Sequence, residues 1–403
     1  MIANLVSAVA RGENCFGREK EVDLLWQKLE HGHIVLAAPR RFGKTSVIYR
    51  LIDAPRPGFK VIHIDVEHML EPADLITELF AQLARDSHLA KLLQTVTSLP
   101  AKWWSRFREN IQEIAILELK IKLKDEVRPH WQESGEKLFE HVASAKETIV
   151  FILDEFPMMV DRMAHKESHR EEARNLLRWL RKIRQSQRPP NVRFLLAGSI
   201  GIDHVLNELG EIATINDLET MRLEAFPPKV ASAFLDALAE SEGLPLSAPC
   251  KKRMLALVET RIPYFLQVLF SEVAKAHKME NAGVTPRMIE RIYRDKVLGV
   301  DCKTYFERYF GRLRDYYAPQ EEKAAKRILR ELAIQGPLSR DVCFQFYKKV
   351  FAASADEEEF NRLMTDLEND FYVRFDSETR AFRFACSLLR DWWLRHYAMG
   401  AED

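Results

Sequence analysis

The chain has 403 residues, and its 60 Lys and Arg cancel its 60 Asp and Glu, so no overall field draws in nucleic acid. A hydrophobic share of 47% can build real cores, 30% charged residues keep the surface wet, and the length suits two or three domains. Cys15, Cys250, Cys302, Cys343 and Cys386 lack Cys-x-x-Cys spacing, which excludes a thiolate metal site or a disulfide framework and points to a reducing cytoplasm.

No apolar run approaches the length of a membrane span. Residues 1–10 lack the cationic start and long apolar core of a signal peptide. Residues 16–22 read FGREKEV and lead into an amphipathic helix over 20–29. Next comes a short apolar strand, 33–37, then APRRFGKTS over 38–46. Val47, Ile48, Leu51 and Ile52 follow at helical spacing. Strand, glycine-bearing loop, Lys-Thr and helix form a phosphate cradle in which backbone N–H groups and a helix N-terminus face the anion. Lys44 can reach the β- and γ-phosphates and the Thr45 hydroxyl can ligate Mg²⁺. Ala38 stands where the G-x-x-x-x-G-K-[ST] pattern has glycine. Because Pro39 follows it, its backbone is driven extended, where alanine is unstrained.

Residues 60–66, KVIHIDV, read as another strand. Residues 117–124 alternate Leu, Glu, Leu, Lys, Ile, Lys, Leu, Lys, the pattern of a half-exposed strand whose lysines protect a sheet edge. With Trp103 and Trp104 upstream, this segment reads as an insertion and a partner surface. Residues 148–155, TIVFILDE, suit a central parallel strand buried on both faces. Asp154 then sits at its C-terminal end, where open α/β sheets bind ligands, and holds Mg²⁺ through water. Glu155 is placed to orient or deprotonate an attacking water.

Arg170, Arg174, Arg178, Arg181 and Lys182 share one helical face opposite Leu176, Leu177, Leu180 and Ile183. That face is either a solvated outer surface or a contact for nucleic acid or an acidic partner. Residues 192–198 form a strand ending at Ser199, whose hydroxyl either contacts the γ-phosphate or its water, or caps the next helix. Residues 220–225 give a weaker strand. Strands alternating with helices give a doubly wound parallel sheet.

From Pro227 the periodicity turns helical, through Val230, Phe234 and Leu238 and on to Phe265, Leu269, Ile289 and Ile292. Residues 227–315 read as an all-helical lid. Residues 316–403 follow the order helix, helix, helix, hairpin, helix, with helices over 324–334, 339–350 and 357–368 and a turn at 377–379. That is a winged-helix plan. Its third helix, 356–370, holds seven acidic residues against Arg362 alone. Phosphate would be repelled there, so DNA is not favoured as its target and a protein contact is. Arg374, Arg380 and Arg383 on the hairpin keep a backbone contact open.

These motifs, with RIPYFLQ at 261–267 and RFACSLLRDWW at 383–393, resemble the P-loop ATPases of the AAA+/STAND group. The likeness is strongest to the archaeal-type ATPase family, also found in bacteria. The resemblance implies an α/β P-loop NTPase domain over 1–226, with helices on both faces of its parallel sheet, followed by the lid and winged helix. It implies ATP and ADP as ligands, with Mg²⁺. Phe16 and Gly17 would lie beside the adenine, and Pro39, Arg40, Arg41, Phe42, Gly43, Lys44, Thr45 and Ser46 round the phosphates. Lys44, Glu155 and Ser199 would carry the hydrolytic chemistry, with Thr45 and Asp154 on the metal. The activity expected is an ATP-driven switch acting on a protein partner, with oligomerisation possible; the alternative is an ATP-loaded DNA-binding module of origin-recognition type. Thr260-Arg261-Ile262-Pro263 replaces the family's Gly-Gly-Ile-Pro. Arg261 is there either a γ-phosphate sensor or a solvated helix-end arginine. No arginine-finger position is filled between Ser199 and Arg222 in the expected place.

Overall fold

The computed structural model describes residues 2–6, 8–85, 113–143, 145–186, 191–199 and 201–398. The chain divides into two compact units. One comprises Arg18–Ala38 and Lys44–Leu223; the other comprises Met1–Gly17, Pro39–Gly43 and Glu224–Asp403. Among the described residues no helix is long and apolar enough to cross a membrane.

The first unit is an α/β sandwich around a five-stranded parallel sheet in the order β2-β3-β4-β1-β5. Its strands are β1 (His33–Ala37), β2 (Phe59–Asp65), β3 (Thr148–Asp154), β4 (Val192–Gly198) and β5 (Leu218–Arg222). The flanking helices are α1 (Glu19–His31), α2 (Lys44–Asp53), α3 (Pro72–Ala84), α4 (Glu113–Val127), α5 (Trp131–Val142), α6 (Phe156–Ala164), α7 (Glu167–Ser186) and α8 (Ile202–Leu209). β3 and β4 are apolar almost throughout and are buried along nearly their whole length, as central parallel strands must be. Phe139 of α5 packs on Phe151 and Phe194 with ring centroids 5.3 and 5.4 Å away, which fixes the middle of the sandwich. Strand register brings Ala37 opposite Gly198 and Asp154 opposite Ala197. The C-terminal ends of β1, β4 and β3 therefore form one edge. The strand order reverses at β1, and a sheet of this kind opens its ligand crevice at such a reversal.

Residues 117–124 are helical, not a strand: they lie inside α4. Leu, Glu and Lys are strong helix formers, and local alternation of apolar and polar residues does not override that preference without a strand partner. Lys120 pairs with Glu78 at 2.5 Å and Lys124 with Glu71 at 2.5 Å, so the lysines bind α3 instead of guarding an edge. Trp103 and Trp104 lie outside the described residues.

The second unit is mostly helical, with α9 (Pro228–Glu242), α10 (Ala248–Val258), α11 (Pro263–Glu280), α12 (Pro286–Ile292), α13 (Lys303–Tyr316), α14 (Pro319–Gln335), α15 (Arg340–Phe351), α16 (Glu357–Asn369) and α17 (Ser387–Trp393). α9, α11, α12 and α14 each begin on proline, whose fixed φ and missing N–H suit a first turn. The hairpin is β7 (Val373–Asp376) with β8 (Ala381–Phe384), and a short β6 (Leu338–Ser339) adds to β8. Helices α14, α15 and α16 with this three-stranded sheet follow the winged-helix order. Thr260 donates to the Ala385 carbonyl at 2.8 Å and Ser387 to the Leu257 carbonyl at 3.3 Å, which ties the lid segment to the strand end before α17. Trp392 and Trp393 are buried core residues. The fold is thus a P-loop α/β core with a helical lid and a C-terminal domain.

Candidate nucleotide site

In the α/β unit, α2 starts at Lys44, whose side chain is only 7% exposed. Its ammonium pairs with Asp154 Oδ1 and donates to Glu155 Oε1 at 2.8 Å. Residues 110 positions apart in sequence thus meet at the crevice edge of the sheet. Asp154 is 6% exposed. Burial alone would raise its carboxyl, but the His63 imidazole and the Lys44 ammonium outweigh that and hold it below the usual carboxylate range. His63 Nε2 stands 3.7 Å from Asp154 Oδ2, placed there by β2 lying beside β3.

Glu155 sits just past β3 with φ +59, a left-handed conformation that costs a glutamate roughly 1–2 kcal/mol. The twist turns its carboxylate back across the edge. Oε2 accepts from the Ser199 N–H at 3.1 Å and from the Ser199 hydroxyl at 2.9 Å, while Oε1 takes Lys44. Ser199 therefore holds Glu155; the N-cap of α8 is Gly201. Gly198, next to it, lies so close to Pro157 that a Cβ would come within 2.5 Å of the ring. The Gly-Ser of β4 and the Asp-Glu-Phe-Pro of β3 fit each other sterically as well as by hydrogen bonds.

Thr45 and Ser46 occupy the first turn of α2 and are half-buried. Asp154, Glu155, Thr45 and Ser199 offer carboxylate and hydroxyl oxygens, the hard donors that Mg²⁺ prefers. Among the described residues no group of three or more His, Cys, Asp or Glu could itself cage a metal. The donor set fits a Mg²⁺ shared with phosphate and water.

In the helical unit, the segment Pro39–Gly43 is held by aromatic side chains. The Tyr309 hydroxyl donates to the Arg40 carbonyl at 3.1 Å. Arg41, with φ +75, lays its guanidinium 4.0 Å over the Tyr264 ring. Phe42 is buried edge-on against Phe371 with centroids 4.7 Å apart, and Gly43 turns the chain at φ +93. Tyr264, Tyr309 and Phe371 were not legible as site residues in the sequence: each reads as helix or strand core. Phe16 and Gly17 pack on α9 and its approach. Phe16 lies 5.5 Å from Phe234, and a Cβ on Gly17 would meet Val230 at 2.4 Å. Arg261 donates to the Phe226 carbonyl at 2.9 Å and the Glu259 carbonyl at 3.1 Å, so its guanidinium is engaged by backbone here.

Comparison with solved structures adds the fold. The chain is similar to a Walker-type ATPase of Pyrococcus abyssi at 18% identity and TM-score 0.60, covering 95% of this chain and 97% of that one. It is also similar to the ORC2 protein of Aeropyrum pernix, solved as ADPNP–ADP complexes, at 12% identity and TM-score 0.53, covering 93% and 92%. Identities this low speak for a shared fold. No protein-family model and no curated protein matches the chain.

The basic face of α7 is largely spent inside its own unit. Arg170 and Arg174 donate to the carbonyls of Glu208 and Leu209 at 2.9 and 3.1 Å. Arg178 pairs with Glu211, and Lys182 with Glu136 at 2.7 Å. On the hairpin, Arg374 and Arg383 face Glu259 at 3.4 and 3.8 Å.

Proposed function

We propose that this protein is a Mg²⁺-dependent ATP-binding and ATP-hydrolysing switch of AAA+/STAND type, which couples its nucleotide state to a protein partner through the lid and winged helix. The observation that carries this reading is the convergence of Lys44, at a helix N-terminus, with Asp154 and Glu155 at the end of a central strand. A lysine held by carboxylates at that place has one evident use, to exchange them for phosphate oxygens. Mg²⁺, held by Thr45 and Asp154 with water, would neutralise charge on the β- and γ-phosphates. When Lys44 turns to phosphate, Glu155 loses the donor on Oε1 while Ser199 keeps its grip on Oε2. The carboxylate is then aimed and free to accept a proton from a water at the γ-phosphate. Phe16 and Gly17 would border the adenine, and residues 39–46 the phosphates.

The switch reading is supported by the loop segment itself. Its Arg40 carbonyl, Arg41 and Phe42 touch Tyr309, Tyr264 and Phe371, which belong to lid helices and to the turn before the hairpin. Any rearrangement of the loop on binding phosphate must change those contacts. The DNA-loaded alternative has less support, because the α7 cations and the hairpin arginines face internal acceptors and α16 is acidic.

The test is turnover of the Glu155→Gln chain. It should bind Mg·ATP as the wild type does, while hydrolysis falls by roughly 10²–10⁴-fold, the usual worth of a positioned general base. Unchanged turnover would remove Glu155 from the chemistry.

A further inference from the structure

The C-terminal helices form an open pocket of about 520 Å³ that the proposed ATP chemistry does not use. Its wall is apolar, made by Phe310 of α13 with Trp393 and Tyr397 near the C-terminus. Phe310 and Tyr397 stack face to face with centroids 3.6 Å apart, and Trp393 lies 5.3 Å from Phe310, so the wall is rigid. Its other side is one face of α14, which presents Lys323, Lys326, Arg327 and Arg330 at helical spacing.

Like charges three and four apart on a helix repel, so a stripe of this kind is normally balanced by interleaved acids. Here the balance is incomplete. Lys326 pairs with Glu322 and sits 4.1 Å over the Phe310 ring. Among the described residues neither Lys323 nor Arg327 has an ion-pair partner, and the Arg327 Nε is buried without a hydrogen-bond acceptor. Cations beside a low-dielectric aromatic wall attract an anion far more strongly than the same cations on an open surface. The volume falls in the range of small-molecule sites, about 300–1,000 Å³. The acidic α16 of the same winged-helix domain would repel an extended polyanion such as a duplex.

We propose that this cavity is a second ligand site, for a compact anion carrying clustered phosphate groups. Arg327 and Lys323 supply the main contacts, Arg327 as a fork matched to phosphate oxygens and Lys323 as a point charge. Lys326 and Arg330 add to the field. The site stands apart from the ATPase reading, since none of its residues belongs to the phosphate loop.

The experiment is calorimetric titration of inorganic tripolyphosphate, without metal, into the full chain and into its Lys44→Ala form, which disables the phosphate loop. The expected result is a saturable event in the Lys44→Ala chain, present in the full chain beside any binding at the phosphate loop, and weakened by added salt. The Lys323→Glu/Arg327→Glu double variant should bind roughly tenfold or more weakly, as loss of charge-assisted hydrogen bonds requires. Should the double variant fail to fold by circular dichroism, Lys323→Ala makes the same comparison at an exposed position. Binding that vanishes in Lys44→Ala belongs to the phosphate loop and overturns the proposal. So does equal binding by wild type and the charge variants, or tighter binding of a duplex oligonucleotide than of tripolyphosphate.

Discussion

Lys44 is buried between two carboxylates, and removing it leaves them facing each other without a counter-charge. Lys44→Ala should therefore lose nucleotide binding, and should also raise the apparent pKa of the Asp154 carboxyl, which carbon-detected NMR titration would read. Ser199→Ala deletes one of the donors on Glu155 Oε2 but leaves the backbone N–H in place. Turnover should fall by a smaller factor than in Glu155→Gln, with ATP affinity unchanged. Away from the site, His33 is a pH-dependent element of the fold. Burial first, then the nearby Arg184 and Arg193 guanidiniums, push its imidazole down to about 4 from the ordinary 6.5. Its Nδ1 accepts from the Phe194 N–H at 3.1 Å, which requires the unprotonated nitrogen. The unfolded chain therefore takes up a proton that the folded chain refuses, and His33 makes stability fall as pH drops from about 6.5 towards 4. The slope is at most ~1.4 kcal/mol per pH unit for one proton. Urea denaturation of wild type and His33→Gln across that window should show their difference in stability shrinking as pH falls. A difference that stays constant would contradict the assignment.

At the scale of elements, β4 lies close against the start of α6, with no room for a side chain at Gly198. Gly198→Ala would drive a methyl into Pro157, and the expected loss is about 1–3 kcal/mol, together with displacement of Ser199 from Glu155. Thermal melts and turnover should move together; a variant with wild-type melting but lost activity would show that the clash is relieved locally. The strands carrying the site were legible because β3 is a continuous apolar run ending at Asp154 and β1 and β4 are largely apolar, the pattern that parallel burial on both faces demands. The winged-helix order was legible from helix periods and a Ser-Glu-Thr turn. What the chain did not disclose was pairing. Nothing in KVIHIDV says that His63 will stand beside Asp154, because that follows from β2 adding outside β3. Leu117 to Lys124 misled because a two-residue period over eight positions also occurs by chance in a helix, and the acids of α3 that receive its lysines are distant in sequence. Tyr309 and Phe371 look like any core aromatic until the loop backbone is seen against them. For those two, Phe371→Ala and Tyr309→Phe should each weaken ATP binding several-fold without touching Lys44, since a loop less well preorganised binds less tightly.

For the whole molecule, the loop segment 39–43 clusters with the lid and winged helix, whereas Lys44 onward clusters with the α/β unit. The stretch proposed to bind phosphate is therefore divided in sequence between the two compact units, and on the proposed reading a nucleotide acts on residues 39–43 as well as on α2. Hydrogen exchange should report this: Mg·ATP is expected to change protection at Tyr309 and at Phe371–Tyr372 as well as in α2, while a pure binding module would change α2 alone. Burial also sets the cost of disturbing the C-terminal unit. Arg312 is 2% exposed and stands 3.7 Å from Asp370, so Arg312→Ala removes a counter-charge from a buried carboxylate that also accepts from the Tyr317 hydroxyl, and should cost about 3–5 kcal/mol in chemical denaturation. The central claim, that Lys44 and Asp154 together receive a magnesium-bound adenine nucleotide, is tested most directly by calorimetric titration of Mg·ATP into the wild-type, Lys44→Ala and Asp154→Asn chains. The expected result is one saturable site in the wild type, no measurable binding in Lys44→Ala, and loss of the magnesium dependence in Asp154→Asn. No saturable heat with the wild type, or equal binding by all three, would contradict the account.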